Sequence, residues 1–416
     1  MSRRGRGPLR GRRRDRSRSA DGRPVQVAHL TTVDSSLRYL LRPQLRAVRD
    51  LGGDVLGISA PGPYADELEA EGIRHAPLGS STRGMDLRAD LRSARELWRI
   101  LRRERPDVLH THNPKPGVYG RIVGRLARVP VVVNTNHGLW ATEDDGRKRR
   151  LAVLGMEAVA ARFSHAELLQ NPEDLELLTR RHINRRSRTT LLGNGIDLER
   201  FAPDAVDPKD RQAVRDEVGA GPGTVVVGMV GRMVAEKGYP ELFAAAEELD
   251  DRYVVVAIGP DDPEKADAVT ADQVARAEKA GVVFLGQRDD VERLYAAMDL
   301  FVLPSHREGF PRAAMEAAAT GLPIVATDVR GCRQVVAHGE TGLLVPVRDP
   351  AALAAAIAEL GEDPRRRAAM GEAAAERARA EFDERRVVAT VLATYRAVAA
   401  RKGLTRVVRA LDRPAG

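Results

Sequence analysis

Two doubly wound α/β domains, each built on a parallel sheet and facing the other across a cleft, are what this sequence predicts. Short Val/Ile/Leu runs alternate with charged stretches of helical period from residue 25 onward, the pattern of crossover units over a buried parallel sheet. A second series of the same kind begins at 224, after a break at 193–223 that holds Pro203, Pro208 and Pro222. The length of 416 residues fits two domains of about 200 residues each.

In the first series, 25–30, 54–59, 107–111, 131–136 and 189–192 read as strands, and 37–50 and 87–103 as helices. In the second, strands are expected at 224–230, 253–258, 282–285, 300–302 and 324–326. Helices are expected there at 239–249, 289–297 and 312–320. The connection between domains is placed at 193–201. The segments are 24–200 for the N-terminal domain, 201–383 for the C-terminal domain, and 384–403 for a helix returning to the first. Residues 404–416 read as a tail. The stretch 385–402 carries Val387, Val388, Val391, Leu392 and Tyr395 in a helical stripe that suits such a return. Ligands of open α/β sheets bind beyond the carboxyl ends of the strands, so the cleft is the expected site.

Composition narrows the class. Apolar residues make up 43% of the chain, enough for two cores. A single cysteine, Cys332, excludes a disulfide framework and a cysteine-rich metal site, and the cytoplasm is the expected compartment. The net charge of +8 is concentrated: residues 1–23 hold ten arginines and two aspartates, a local +8, and the remainder is neutral. That Arg/Gly/Ser-rich tail cannot bury a core and lacks the apolar stretch of a signal peptide. It reads first as a solvated, disordered extension and second as a segment drawn to anionic lipid. Nucleic-acid binding ranks last, because nothing in the body of the chain supports it. No run of 18 apolar residues is present, so no transmembrane helix is expected.

Two loops carry the candidate chemistry. The strand at 224–230 runs into Gly231-Arg232 and then Lys237-Gly238 before a helix. Glycine lets backbone and ligand approach closely, and the two cations can hold a diphosphate, Arg232 as a fork and Lys237 as a point charge. The alternative is a solvated loop with ordinary surface cations. The second loop follows the strand at 300–302 and contains Glu308-Gly309-Phe310-Pro311, with Pro311 at a helix start. Backbone amides at a helix N-terminus favour anions. Glu308 and Glu316 are eight residues apart, up to roughly 12 Å along a helix, which matches the two ends of a nucleotide-sugar. The competing account makes Glu308 a dipole partner and Glu316 a surface charge.

Together these strings resemble the retaining glycosyltransferases of family 4, which have the GT-B fold. The resemblance runs through Gly193-Asn-Gly-Ile-Asp197, Gly231-Arg232, Glu236-Lys237-Gly238, Leu303-Pro-Ser305, Glu308-Gly-Phe-Pro311, Glu316-Ala317, Gly321 to Thr327 and Gly339 to Pro346. It covers about residues 25–400. It implies that Arg232 and Lys237 hold the donor diphosphate, that Glu308 contacts the transferred sugar and Glu316 the ribose. It implies that the amides of Gly309 and Phe310 meet sugar or phosphate, that the backbone at Arg288 meets the base, and that His137 is the active-site histidine of the N-terminal domain. The stretches 107–121, 131–138 and 331–336 are similar to enzymes of capsule, exopolysaccharide and O-antigen assembly, which extend polyprenyl-diphosphate-linked sugars at the inner leaflet. One departure is that Thr31 to Ser36 stands where many members have a Gly-Gly loop; its hydroxyls are expected to replace a backbone contact.

The expected activity is transfer of a sugar from a nucleotide-diphosphate donor, UDP by default, to a hydroxyl acceptor with retention. No cofactor and no metal are expected, since fixed cations serve the diphosphate and no Asp-x-Asp motif ends a strand. The rival enzyme class is a nucleotide-sugar 2-epimerase of the same architecture; the rival outside enzymes is a nucleic-acid-binding protein led by its tail. Peripheral membrane association is expected from the tail, from Arg147–Arg150 and Arg180–Arg188, and from Trp98, Ile100 and Leu101 among arginines.

Overall fold

The computed structural model describes residues 23–82, 86–112, 114–140, 145–263 and 265–412. The Arg-rich tail lies outside the described residues apart from Arg23. The first sheet has seven strands: β1 Gln26–Val33, β2 Asp54–Ala60, β3 Arg74–Pro77, β4 Val108–His112, β5 Val131–Asn136, β6 Ala166–Leu169 and β7 Thr189–Leu191. All pair in parallel, in the order β3-β2-β1-β4-β5-β6-β7. The second has β8 Val225–Val230, β9 Tyr253–Ile258, β10 Val282–Gly286, β11 Leu300–Leu303, β12 Ile324–Thr327 and β13 Gly342–Val345, again parallel, in the order β10-β9-β8-β11-β12-β13. In each sheet the strand order reverses beside the first strand, between β1 and β4 and between β8 and β11. Loops leaving those strands therefore diverge and open a crevice.

The inner strands are buried on both faces, as parallel sheets under helices must be. One side of the first sheet packs Val27, Val108, Val131 and Val133 with Leu41 and Leu45, and the other packs Ala28, Leu56, Leu109 and Val132 with Leu97 and Leu101. The helix expected at 37–50 begins as a wider π turn, Leu37–Leu41, and becomes α-helical only at Arg42–Asp50. Pro43 lacks an N–H to donate back along an α pattern, which accounts for the change.

The helix Glu384–Arg401 crosses from the C-terminal domain and buries Val387, Val391, Tyr395, Val398 and Ala399 in the N-terminal core. Val388 and Leu392, on the flank of the stripe, are only half-buried. The two connections between domains are stitched together: Ile196 N–H donates to the Phe382 carbonyl at 2.9 Å and Glu384 N–H to the Ile196 carbonyl at 3.2 Å. One expectation is corrected here. Residues 404–416 do not begin as a tail, because Thr405–Leu411 is a helix that buries Val407 and Leu411 in the same core. No helix among the described residues is long and apolar enough to cross a membrane.

Candidate active site

The two loops singled out in the sequence both leave the switch point of the second sheet. Gly231–Gly238 follows β8, and Pro304–Pro311 follows β11. Gly238 fastens them. Its φ is +84°, and a Cβ there would lie 2.1 Å from the Pro304 carbonyl oxygen, so only glycine lets the loops meet. Lys237 then reaches across: its Nζ is 2.5 Å from Glu308 Oε1, which also accepts from Ser305 Oγ at 2.8 Å. Glu308 is nearly buried, and Lys237 keeps about a quarter of its side chain exposed. The cation is thus aimed into the crevice by a carboxylate with little access to water. Arg232 extends from the same loop, holds Asp262 at 2.6 Å, and remains 41% exposed.

The helix after the second loop, Arg312–Ala319, carries Glu316 on its inner side. Tyr295 Oη donates to Glu316 Oε2 at 3.2 Å, and Arg312 lies 3.6 Å from the other oxygen. Burial pushes the Glu316 carboxyl above its ordinary range, opposed by Arg312. Pro311 stands one residue before the helix rather than inside it, as its extended N-cap. The Arg288 side chain is paired with Asp290 at 2.7 Å and Glu217 at 2.7 Å.

On the facing domain, β5 ends at Asn136 and delivers His137 and Gly138 to the cleft. The two domains touch here. A Cβ on Gly309 would fall 1.9 Å from the His137 carbonyl oxygen, so backbone meets backbone. Asn171 Nδ2 donates to the Gly309 carbonyl at 3.2 Å, and Asn194 Nδ2 to the Phe310 carbonyl at 3.0 Å. Phe310 itself packs edge-on against Phe382. At the far side of the cleft, Gln287 Nε2 donates to both Tyr39 and Tyr64 hydroxyls at 3.2 Å. The cleft is closed, with His137, Glu308, Gly309 and Lys237 drawn together. Arg232 leaves the same loop as Lys237, Glu316 is held by Tyr295 on the helix that follows Glu308, and the Arg288 side chain is tied to Asp290 and Glu217.

Of the hydroxyls in the stretch 31–36, that of Thr31 departs from expectation. β1 continues to Val33, and the Thr31 hydroxyl donates to the Val33 carbonyl at 2.9 Å, so it is spent on its own backbone.

Sequence reasoning singled out His137 but missed what lies behind it. His29, His110 and His112, all buried, form a group with Tyr395 of the crossing helix. His112 Nδ1 is 2.9 Å from His137 Nε2, and His112 Nε2 is 3.2 Å from His29 Nδ1. The available signal was the spacing of His110 and His112, two apart in a strand and so on one sheet face. His29 and Tyr395 come from distant segments and gave none.

Comparison with known proteins fits this geometry. The model of the "Glycosyl transferases group 1" family matches residues 210–377, and that of the "Glycosyl transferase 4-like domain" matches 37–195. An Escherichia coli UDP-Gal:alpha-D-GlcNAc-diphosphoundecaprenol alpha-1,3-galactosyltransferase is 31% identical over 312 residues, 73% of this chain and 78% of that protein. This chain belongs to the group 1, family-4-like glycosyltransferases. The transferase is also 28% identical over 356 residues to the capsular polysaccharide biosynthesis glycosyltransferase CapM of Staphylococcus aureus, covering 83% of this chain and 90% of that one. Its fold is GT-B. The Anabaena protein HepE, solved in complex with UDP, superposes with a TM-score of 0.73 at 22% identity, over 89% of this chain and 99% of that one. The sucrose-phosphate synthase of Thermosynechococcus elongatus gives 0.74 at 23%, over 91% and 100%.

Proposed function

We propose that this transferase moves a sugar from a UDP-sugar to a hydroxyl of a polyprenyl-diphosphate-linked glycan, with retention and without a divalent ion. The observation that carries the reading is the Lys237–Glu308 pair, set beside Arg232 at the sheet switch point and closed over by His137. The bond from the anomeric carbon to the diphosphate oxygen breaks, and charge grows on the leaving group. Arg232, Lys237 and the amides at Gly309 and Phe310 neutralise that charge, which is where preorganised dipoles gain most. The acceptor oxygen bonds to the same face of the sugar, and its proton passes to a phosphate oxygen. Glu308 orients the sugar hydroxyls and Glu316 the ribose.

A lipid-linked acceptor is supported by the outer face of the N-terminal domain. A cavity of about 250 Å³ between the helices Leu87–Glu104, Lys115–Leu126 and Arg147–Ala160 is walled mainly by apolar groups, among them Leu87, Leu91, Val118 and Met156. Trp140 also lines it, and the Trp140 carbonyl accepts at 3.3 Å from Arg307, the residue before Glu308. Leu87, Leu91 and Trp98 are exposed on one stripe of the first helix, and Leu151, Met156 and Val159 on the third. Ile100 and Leu101, expected at the headgroup interface, are instead buried against the sheet. Arg147, Lys148 and Arg149 are exposed at the start of the third helix, where anionic headgroups would attract them at about 1 kcal/mol each. The relatives named above include one acting on a diphosphoundecaprenol-linked sugar.

The deciding experiment incubates purified protein with a panel of UDP-sugars, with and without a polyprenyl-diphosphate-linked sugar, and determines product linkage by NMR. An α-linked product from an α-donor, formed only with acceptor, is expected. Epimerised donor in the acceptor-free arm would replace this reading with an epimerase. Co-sedimentation with anionic vesicles at low salt, weakening at high salt, tests the membrane component. Protein that stays in the supernatant at low salt would make a soluble acceptor the better substrate.

A further inference from the structure

We propose that Tyr395, on the crossing helix, is a positioning residue for His137: a hydrogen-bonded chain through His29 and His112 fixes which ring nitrogen of His137 bears the proton. The inference rests on His137 lining the cleft of a working transferase, as argued above. The chain is continuous. Thr135 Oγ1 is 2.7 Å from His110 Nε2, and His110 Nδ1 is 2.6 Å from Tyr395 Oη. Tyr395 Oη is 3.4 Å from His29 Nε2, His29 Nδ1 is 3.2 Å from His112 Nε2, and His112 Nδ1 is 2.9 Å from His137 Nε2. Tyr395, His29 and His110 are fully buried and His112 is 3% exposed, so water does not break the sequence.

All four imidazoles are neutral at neutral pH. Burial lowers His29 to about 3 and His137 to about 4, the latter opposed by a hydrogen bond to Gln170. Burial, and after it the neighbouring rings, puts His110 and His112 well below the usual range. A neutral imidazole offers one N–H and one lone pair, and a phenol one O–H and its lone pairs. In a chain where each ring uses both nitrogens, the direction of one bond dictates the direction of all. Either Thr135 donates into the chain and His137 Nε2 accepts from His112, or His137 Nε2–H donates to His112 and the chain ends on Thr135 Oγ1. Reversal requires every proton to shift together. Tyr395 is the joint between the His110 branch and the branch that ends at His137. It touches neither His137 nor the cleft, so its influence passes through the rings. The ring nitrogens of His29, His110 and His112 also lie within 4.8 Å of one another, close enough for three ligands of one ion. Both nitrogens of each of these rings are already engaged in the chain, and an ion would have to break it.

Tyr395→Phe tests this, since it keeps the ring, edge-on to His110 at 5.6 Å, and removes only the hydroxyl. With ¹⁵N-labelled histidine, NMR of the wild type should show His137 as a single tautomer and the variant as a mixture. The variant should lose roughly tenfold in kcat, the scale of one hydrogen bond, while its donor KM is unchanged. Should Tyr395→Phe fail to fold, Thr135→Val breaks the far end of the chain and is read the same way. A folded variant with the His137 signals and kcat of the wild type would overturn the proposal. So would one zinc ion per chain in the purified protein that disappears in His29→Asn. The tautomer readout needs no turnover. Wild-type protein inactive on every donor, with the tautomer change still present, would therefore sink the transferase reading and leave the chain standing.

Discussion

Lys237 and Glu308 form a pair in which each side chain limits the other. Glu308 is nearly buried and would face a large desolvation cost alone; Lys237 supplies the counter-charge while staying accessible to a ligand. A charged hydrogen bond to phosphate is worth about 1.5–3 kcal/mol, so Lys237→Ala and Arg232→Ala should each lose roughly tenfold or more in kcat/KM, mainly through donor KM. Glu308→Gln keeps the shape and one acceptor but loses the charge, and should lower kcat more than it raises KM. Steady-state kinetics on the three variants separates these outcomes; wild-type constants in both cation variants would remove the diphosphate assignment. If these cations stand in place of a divalent ion, excess EDTA should leave the rate essentially intact. A rate that collapsed with EDTA and returned with magnesium or manganese would refute that. The residues proposed to bind the donor were legible because each sits in a short string next to a strand end. The histidine chain was not, since its bonds join residues as far apart as 366 positions.

At the scale of elements, the sequence predicted the strands with Val-rich runs and passed over three short ones. Arg74–Pro77 is a polar edge strand ending in proline, and Gly342–Val345 is only four residues long, too short for a period to register. Ala166–Leu169 lies inside the sheet yet contains Glu167, which reads as a surface residue. Its burial is explained by Arg121, itself fully buried, whose Nη1 lies 2.9 Å from Glu167 and whose Nη2 lies 2.7 Å from Glu157. An ion pair assembled from separate elements hides a strand from any local pattern. Loop contacts behave in the same way. Gly309 belongs to a recognisable string, but its reason for being glycine is the His137 carbonyl of the other domain. Gly309→Ala should therefore fold normally and fail to close. The displaced backbone should cost about 100-fold in kcat, the scale of a 1 Å misplacement, and small-angle scattering should show a larger radius of gyration. A variant with wild-type scattering and turnover would show that closure does not need this contact.

Across the whole molecule, the buried histidines set the response to acid. His29 falls to about 3 and His137 to about 4, chiefly through burial, from about 6.5 in an unfolded chain. Burial, then Lys402 and Arg125, brings His165 to about 4 as well. Between pH 6.5 and 4 the unfolded chain binds protons at these rings that the folded one does not. Unfolding free energy therefore rises with pH, and stability present above pH 6.5 is lost as pH falls through that window. Each such ring contributes a slope of about 1 kcal/mol per pH unit. Glu316, Asp174 and Glu384 run the other way, because burial raises their carboxyls and favours the folded state as they take up protons. Against these three carboxyls stand His29, His75, His110, His112, His137 and His165, all lowered by burial, so the histidines prevail. Urea unfolding at pH 7.5, 6 and 5 should give midpoints that drop steadily below 6.5, well before ordinary carboxylates titrate. Midpoints that stay level down to pH 5 would mean that these rings are hydrated or already protonated in the native state, and the neutral chain from Thr135 to His137 could not exist as described.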